Sequence, residues 1–105
     1  MGTWVPLAGH GPAPGEMRAL ECAGRPIVLC NAEGQLYAVD DDCPHAGAPL
    51  SEGRLRGCIL ECPLHGGKID VRDGSPAALP IRTPARSYAV RAGASGIEIE
   101  IPDPS

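Results

Sequence analysis

The chain has 105 residues, with 9 Lys plus Arg against 13 Asp plus Glu and a formal net charge of −4. That length sets one small domain with a limited core. The acidic balance argues against nucleic acid and anionic membrane surfaces, and leaves basic protein patches as partners.

The 14 glycines, 12 prolines and absence of Phe favour turns and short strands over long helices, and 43% hydrophobic content is enough for a folded domain. Met1 to Glu16 has no basic start, apolar run or twin arginine. No stretch approaches the roughly 20 apolar residues of a membrane span, so a soluble, cytoplasmic chain is expected. Apolar–polar alternation then comes in short bursts. Glu16 to Cys22, Pro26 to Asn31 and Gln35 to Val39 predict an antiparallel meander, with turns at Ala23-Gly24 and Glu33-Gly34. Gly57 to Glu61 and Lys68 to Val71 predict short strands on either side of a loop, the second ending at Asp73-Gly74. Ser75 to Pro84 holds three prolines and reads as a stiff loop. Arg86 to Arg91 and Ile97 to Ile101 predict a final hairpin across Ala94-Ser95-Gly96. No 3.6-residue apolar stripe persists, so the pattern predicts a small all-β barrel or sandwich.

Two stretches carry chemistry: Cys43-Pro44-His45 and Cys62-Pro63-Leu64-His65, separated by the sixteen residues Ala46 to Glu61. Each pairs a soft thiolate with an imidazole. Zinc accepts Cys₂His₂ sites, but its usual layout puts both cysteines in one knuckle and both histidines in another. Cys58 and Cys62 have knuckle spacing, yet in an extended chain their Cα atoms lie ~13 Å apart at roughly 3.3 Å per residue. A [2Fe–2S] cluster with thiolates on one iron and imidazoles on the other suits the mixed loops better. Gly47, Gly66 and Gly67 let backbone approach such a group, while Pro44 and Pro63 donate nothing, so N–H donors must come from later in each loop. The five cysteines are an odd count, better read as ligands and small buried residues than as disulfides. Cys22, Cys30 and Cys58 fall in strand patterns as buried small hydrophobes. Trp4, Tyr37 and Tyr88 read as core aromatics, His10 as a surface residue, Asp40-Asp41-Asp42 as a solvated turn, and Arg54 and Arg56 as exposed.

The run CPHAGAPLSEGRLRGCILECPLHGGKIDVRDG resembles the Rieske iron–sulfur signature, in particular the soluble Rieske ferredoxins of bacterial aromatic-ring dioxygenase systems. The resemblance implies a Rieske fold: an antiparallel base, residues 1–42 and 68–105, with a cluster-binding subdomain, 43–67, inserted in a single 105-residue domain. It implies one Rieske [2Fe–2S] cluster held by Cys43, His45, Cys62 and His65, with both histidines at an exposed tip where partners dock. It also implies that Pro76 and Pro80 sit in a loop shielding the cluster. High-potential respiratory members carry an extra, disulfide-bonded Cys in each ligand loop, and a Ser and a Tyr after the second His. The matching positions here are Ala48, Leu64, Gly67 and Ile69, so a potential near the low end of the Rieske range is expected.

A Rieske oxygenase needs two further His and a carboxylate for its catalytic iron. The chain has three His in all, and two are spent on the cluster. It therefore reads as an electron-transfer component and not an enzyme. The expected partners are an NAD(P)H-dependent flavoprotein ferredoxin reductase and a terminal oxygenase, served by a monomer. The alternative is the small Rieske subunit of a larger oxidoreductase of nitrite-reductase type.

Overall fold

The computed structural model describes residues 2–7, 9–44, 47–64, 66–93 and 96–102. Within them lie β1 (Gly2–Pro6), β2 (Met17–Cys22), β3 (Arg25–Ala32), β4 (Gln35–Asp40), a 3-10 turn (Leu50–Glu52), β5 (Arg54–Arg56), β6 (Ile59–Glu61), β7 (Lys68–Asp70), β8 (Pro76–Ala78), β9 (Ser87–Tyr88), β10 (Val90–Gly93) and β11 (Gly96–Pro102). All strand pairs are antiparallel and form three sheets, ordered β1-β11-β10, β2-β3-β4-β9 and β5-β6-β7-β8. No helix among the described residues is long and apolar enough to cross a membrane.

The predicted meander is the middle sheet. Cys22 pairs with Arg25 and Ala32 with Gln35, leaving two-residue turns. Both residues of each turn have positive φ: Ala23 (53°) and Gly24 (78°), Glu33 (57°) and Gly34 (93°). Such turns match the twist of the flanking strands, and glycine takes the second position without a Cβ penalty. Asn31 braces the second turn: its Oδ1 accepts the Gly34 N–H at 2.8 Å, and its Nδ2 donates to the Pro12 carbonyl at 2.9 Å.

β3 is buried on both faces from Ile27 onward, so it reads as a nearly continuous apolar run. One face of the middle sheet supplies Val28, Cys30, Ala32 and Val39 to a core shared with Leu60, Ile69, Val71 and Ile81. The other supplies Ile27, Leu29 and Ala38 to a core shared with Tyr88, Ile99 and Ile101. The middle sheet thus lies between the other two, and the first of these cores carries the cysteines of the two ligand loops.

Three strands were not expected. β1 pairs with β11 at the far end of the chain, so its partner is invisible to local reading. β5 is a three-residue edge strand, too short for alternation to register. β8 falls inside the proline-rich segment expected to be a loop. Pro76 sits opposite Ile69 on an edge, beside a register irregularity, where a missing N–H costs little. The predicted strand Arg86 to Arg91 breaks at Ala89, because β9 pairs with β4 in one layer while β10 pairs with β11 in the next. The β10–β11 hairpin forms as expected; Ala94 and Ser95 of its turn lie outside the described residues.

Cys22 and Cys30 are buried and Cys58 is partly buried, all as free thiols. Burial, with the Asp41 carboxylate adding, pushes the Cys30 thiol up to about 12 from an ordinary 9.0. The neutral thiol is the form the fold accepts, so the unfolded chain loses this proton first as pH rises. Stability is therefore full below pH 9.0 and falls between there and about 12, by at most about 1.4 kcal/mol per pH unit. Urea unfolding across that window is expected to show this decline, and Cys30→Ala is expected to make it shallower.

Candidate metal centre

Each ligand loop closes on itself in the same way. In the first, the Cys43 N–H donates to the Ala48 carbonyl and the Gly47 N–H to the Cys43 carbonyl, both at 2.8 Å. In the second, the Cys62 N–H donates to the Gly67 carbonyl at 2.7 Å. Both cysteines thus donate to the carbonyl five residues on, and both loops place a glycine of φ 70° four residues after the cysteine, at Gly47 and Gly66. An L-residue there would be strained by roughly 1–2 kcal/mol. Proline follows each cysteine and presets its own φ.

The two loops bring their thiols together. Cys43 is 2% exposed and Cys62 3% exposed, and both belong to one apolar cluster with Leu50, Leu60 and Ile69. Burial pushes the Cys62 thiol up, and its hydrogen bond to the Cys43 sulfur pushes the same way. The Leu64 N–H, donated to the Cys62 sulfur, opposes both. This donor lies one residue beyond Pro63, as the loop chemistry required. His45 and His65, the other two expected ligands, lie outside the described residues. Among the described residues no group of three metal-ligating side chains converges.

Two free, buried thiols in mutual reach, at the heads of equivalent loops, fit an iron–sulfur group. Thiolates are its usual ligands, and a buried thiol pair without a metal or a disulfide has only a weak S–H bond to satisfy it.

The proline segment packs on both loops. A Cβ at Gly67 would lie 2.6 Å from Ile81 Cγ1 and 3.3 Å from Pro80 Cδ, so the second loop has no space on that side. Pro44 of the first loop shares a cleft of about 340 Å³ with Pro80, Arg82 and Thr83. A separate cleft of about 430 Å³ is lined by Cys62 together with Arg54, Glu61 and Gly66. The two large exposed apolar side chains among the described residues flank this region: Leu64 is 47% exposed and Leu79 is 68% exposed.

No disulfide is present, and Ala48 and Leu64 offer no sulfur. Ile69 is fully buried in the core, where a hydroxyl would need a partner. At Gly67 Ile81 fills the space a side chain would take.

Several expected roles changed. Asp40-Asp41-Asp42 is not a solvated turn. Asp41 is buried, its Oδ1 accepting the Ser51 N–H at 2.6 Å and its Oδ2 the Ser51 hydroxyl at 2.8 Å. Asp40 accepts the Tyr88 hydroxyl, which in turn accepts Arg25 Nη1 at 3.3 Å. Only Asp42 is exposed. Sequence reading missed Asp41 because its partner is ten residues away; the one local signal was its position next to the first ligand loop. Tyr88 is core, and Tyr37 packs against the first core from its edge. Trp4 is only partly buried, under the Arg91 guanidinium at 4.0 Å from the ring centroid. Arg54, Arg56 and His10 are exposed, as expected.

The description "Rieske [2Fe-2S] domain" matches residues 3–89. The ferredoxin component of biphenyl 2,3-dioxygenase from Rhodococcus jostii is 39% identical over 89 residues, 85% of this chain and 83% of that one. The anthranilate 1,2-dioxygenase ferredoxin subunit of Burkholderia cepacia is 36% identical over 99 residues, 93% of this chain and 92% of that one. The solved ferredoxin of carbazole 1,9a-dioxygenase from Nocardioides aromaticivorans superposes with a TM-score of 0.79 at 33% identity, covering 87% of this chain and 88% of that one. A chain of a solved complex of reduced oxygenase and oxidized ferredoxin in carbazole 1,9a-dioxygenase matches with a TM-score of 0.79 at 35% identity, covering 84% of this chain and 91% of that one. The chain belongs to the Rieske [2Fe–2S] domain family, and its cofactor is a Rieske-type [2Fe–2S] cluster.

Gly67→Ser puts a side chain against Ile81 and is expected to lower stability by about 1–3 kcal/mol and reduce iron per chain. Ile81→Ala opens that space, so a double-mutant cycle is expected to show the pair costing less than the sum of the single changes. Additive losses by thermal unfolding would exclude this packing account.

Proposed function

We propose that this chain is the soluble ferredoxin component of a multicomponent aromatic-ring dioxygenase system. Cys43 and Cys62 bind one iron of the cluster through thiolates, and His45 and His65 bind the other through imidazoles. The bound cluster accepts and releases one electron at a time. The donor is an NAD(P)H-dependent flavoprotein reductase and the acceptor a terminal oxygenase, both met in the cytoplasm by a monomer. The ligand loops, 43–67, form the cluster-binding subdomain on a base of 1–42 and 68–105. The single observation that carries this reading is the pair of buried, unoxidised thiols on two equivalently closed loops. The named relatives that match over most of the chain are ferredoxin components of such systems, which points the same way.

The chain's own residues do three things in this scheme. The apolar cluster around Cys43 and Cys62 keeps water from the sulfurs. The Leu64 N–H donates to the Cys62 sulfur and so favours its thiolate form. Leu64 and Leu79 offer apolar surface beside the ligand loops, which a partner can desolvate on docking without stripping charges of water.

His45→Ala and His65→Ala are each expected to abolish or convert the Rieske electron-resonance signal. An unchanged signal in either variant would exclude that histidine as a ligand. The midpoint potential of the loaded protein is expected below zero, toward the low end of the range of roughly −150 to +300 mV, because Gly67 and Ile69 offer no hydroxyl donors to stabilise the reduced cluster. A titration giving a midpoint above zero would contradict this.

A further inference from the structure

Asp41 is one of two buried polar side chains among the described residues, the other being Asn31 of β3, which braces the β3–β4 turn. Asp41 lies two residues before Cys43 and is bonded on every side. Its N–H donates to the Pro26 carbonyl at 3.0 Å, and its carbonyl accepts the Leu50 N–H at 2.6 Å. Its two carboxylate oxygens take the N–H and the hydroxyl of Ser51. The next residue, Asp42, bridges to Pro49. Both ends of the first ligand loop are therefore tied at Asp41. A loop could be tied with neutral groups; the choice of a buried carboxylate brings a charge with it. Among the described residues no Lys or Arg makes an ion pair with Asp41.

We propose that Asp41 is a positioning residue that also sets the cluster potential: it clamps the first ligand loop through Ser51, and its negative charge, which no cation pairs among the described residues, opposes the arrival of the electron. This rests on the reading that Cys43 and Cys62 hold the cluster. The backbone places Asp41 near Cys43, since Cα atoms two residues apart are at most ~7 Å from one another. Its charge is felt within the first core. Asp41 adds to the upward push on the Cys30 thiol, and Cys30 belongs to the same apolar cluster as Cys43 and Cys62. The wall of that core is apolar, so little screens the interaction.

The test is a potentiometric titration of the loaded parent, Asp41→Asn and Ser51→Ala proteins, followed by electron resonance. Asp41→Asn keeps the shape and an acceptor for the Ser51 N–H but removes the charge. Its reduced-to-oxidised ratio at fixed potential is expected to rise on the order of tenfold, equivalent to about 59 mV for a one-electron couple. Ser51→Ala loosens the same clamp but keeps the charge and removes a donor that partly compensates it, so its midpoint is expected to stay or fall. Loop loosening alone would move both variants in one direction. A midpoint that rises in Asp41→Asn and not in Ser51→Ala supports the proposal. An unmoved or lowered midpoint in Asp41→Asn, or a raised one in Ser51→Ala, overturns it. Should Asp41→Asn fail to load, Ser51→Ala decides alone: an unmoved or lowered midpoint supports the proposal, and a raised one overturns it. The parent's own signal reports on the ligand reading, so a normal parent with an unmoved Asp41→Asn overturns the role of Asp41 only, while a parent without the Rieske signal overturns both.

Discussion

The structure depends on keeping two thiols buried and next to one another while each is delivered by a separate loop. A loop carries polar backbone that burial leaves unsatisfied unless it is paired internally. Both loops meet this in the same way, each cysteine N–H donating to the carbonyl five residues on, with a left-handed glycine turning the chain back. The two closures make each loop a preformed half of a site, and the apolar cluster around Cys43 and Cys62 holds the halves together. A small chain with a limited core gains further from such a site, because a group bound by the folded state alone adds its binding free energy to folding.

The layers give the loops their rigidity. β3 is buried on both faces, so the middle sheet has no solvent side on which to slip register. One of its faces packs against the sheet that carries the second ligand loop between β6 and β7. The first ligand loop leaves the end of β4 in the middle sheet, passing through Asp41, whose backbone is tied to Pro26 at the start of β3. The proline segment after β8 then closes the remaining side, with Ile81 filling the space above Gly67 and Pro80 sharing a cleft with Pro44. Each loop is therefore held from below by a strand and from the side by a stiff segment with few internal degrees of freedom.

Electrostatics divides the molecule unevenly. Charged pairs such as Arg72–Asp70 and Arg91–Glu98 lie on the surface, where solvent screens them and their contribution to stability is small. The polar contacts that matter to the site are buried: Asp41 with Ser51, and the Leu64 N–H with the Cys62 sulfur. One adds negative charge beside the ligand loops and the other offsets it. The exposed leucines nearby, Leu64 and Leu79, supply contact area without adding to that balance.

The sequence by itself determined the cofactor class and much of the strand pattern. Cys-Pro-x and Cys-Pro-x-x ending in His are local arrangements, so their spacing could be read without knowing where the chain goes. The meander was legible for the same reason: its turns are two residues long, and positive-φ positions announce themselves through Gly24 and Gly34. What escaped notice depends on partners distant in sequence. β1 exists only because β11 lies beside it, β8 only because β7 offers an edge that tolerates proline, and the break at Ala89 only because two layers compete for one segment. Asp41 belongs to the same class. In the sequence it is the middle of an acidic run with every reason to be solvated, and its burial follows from Ser51 and Leu50 folding back onto it. Local chemistry can be read from residue types, because covalent neighbours set it. Which charge is buried, and which strand finds a partner, is decided only when the chain closes on itself and each polar group must find a bond or lose its water.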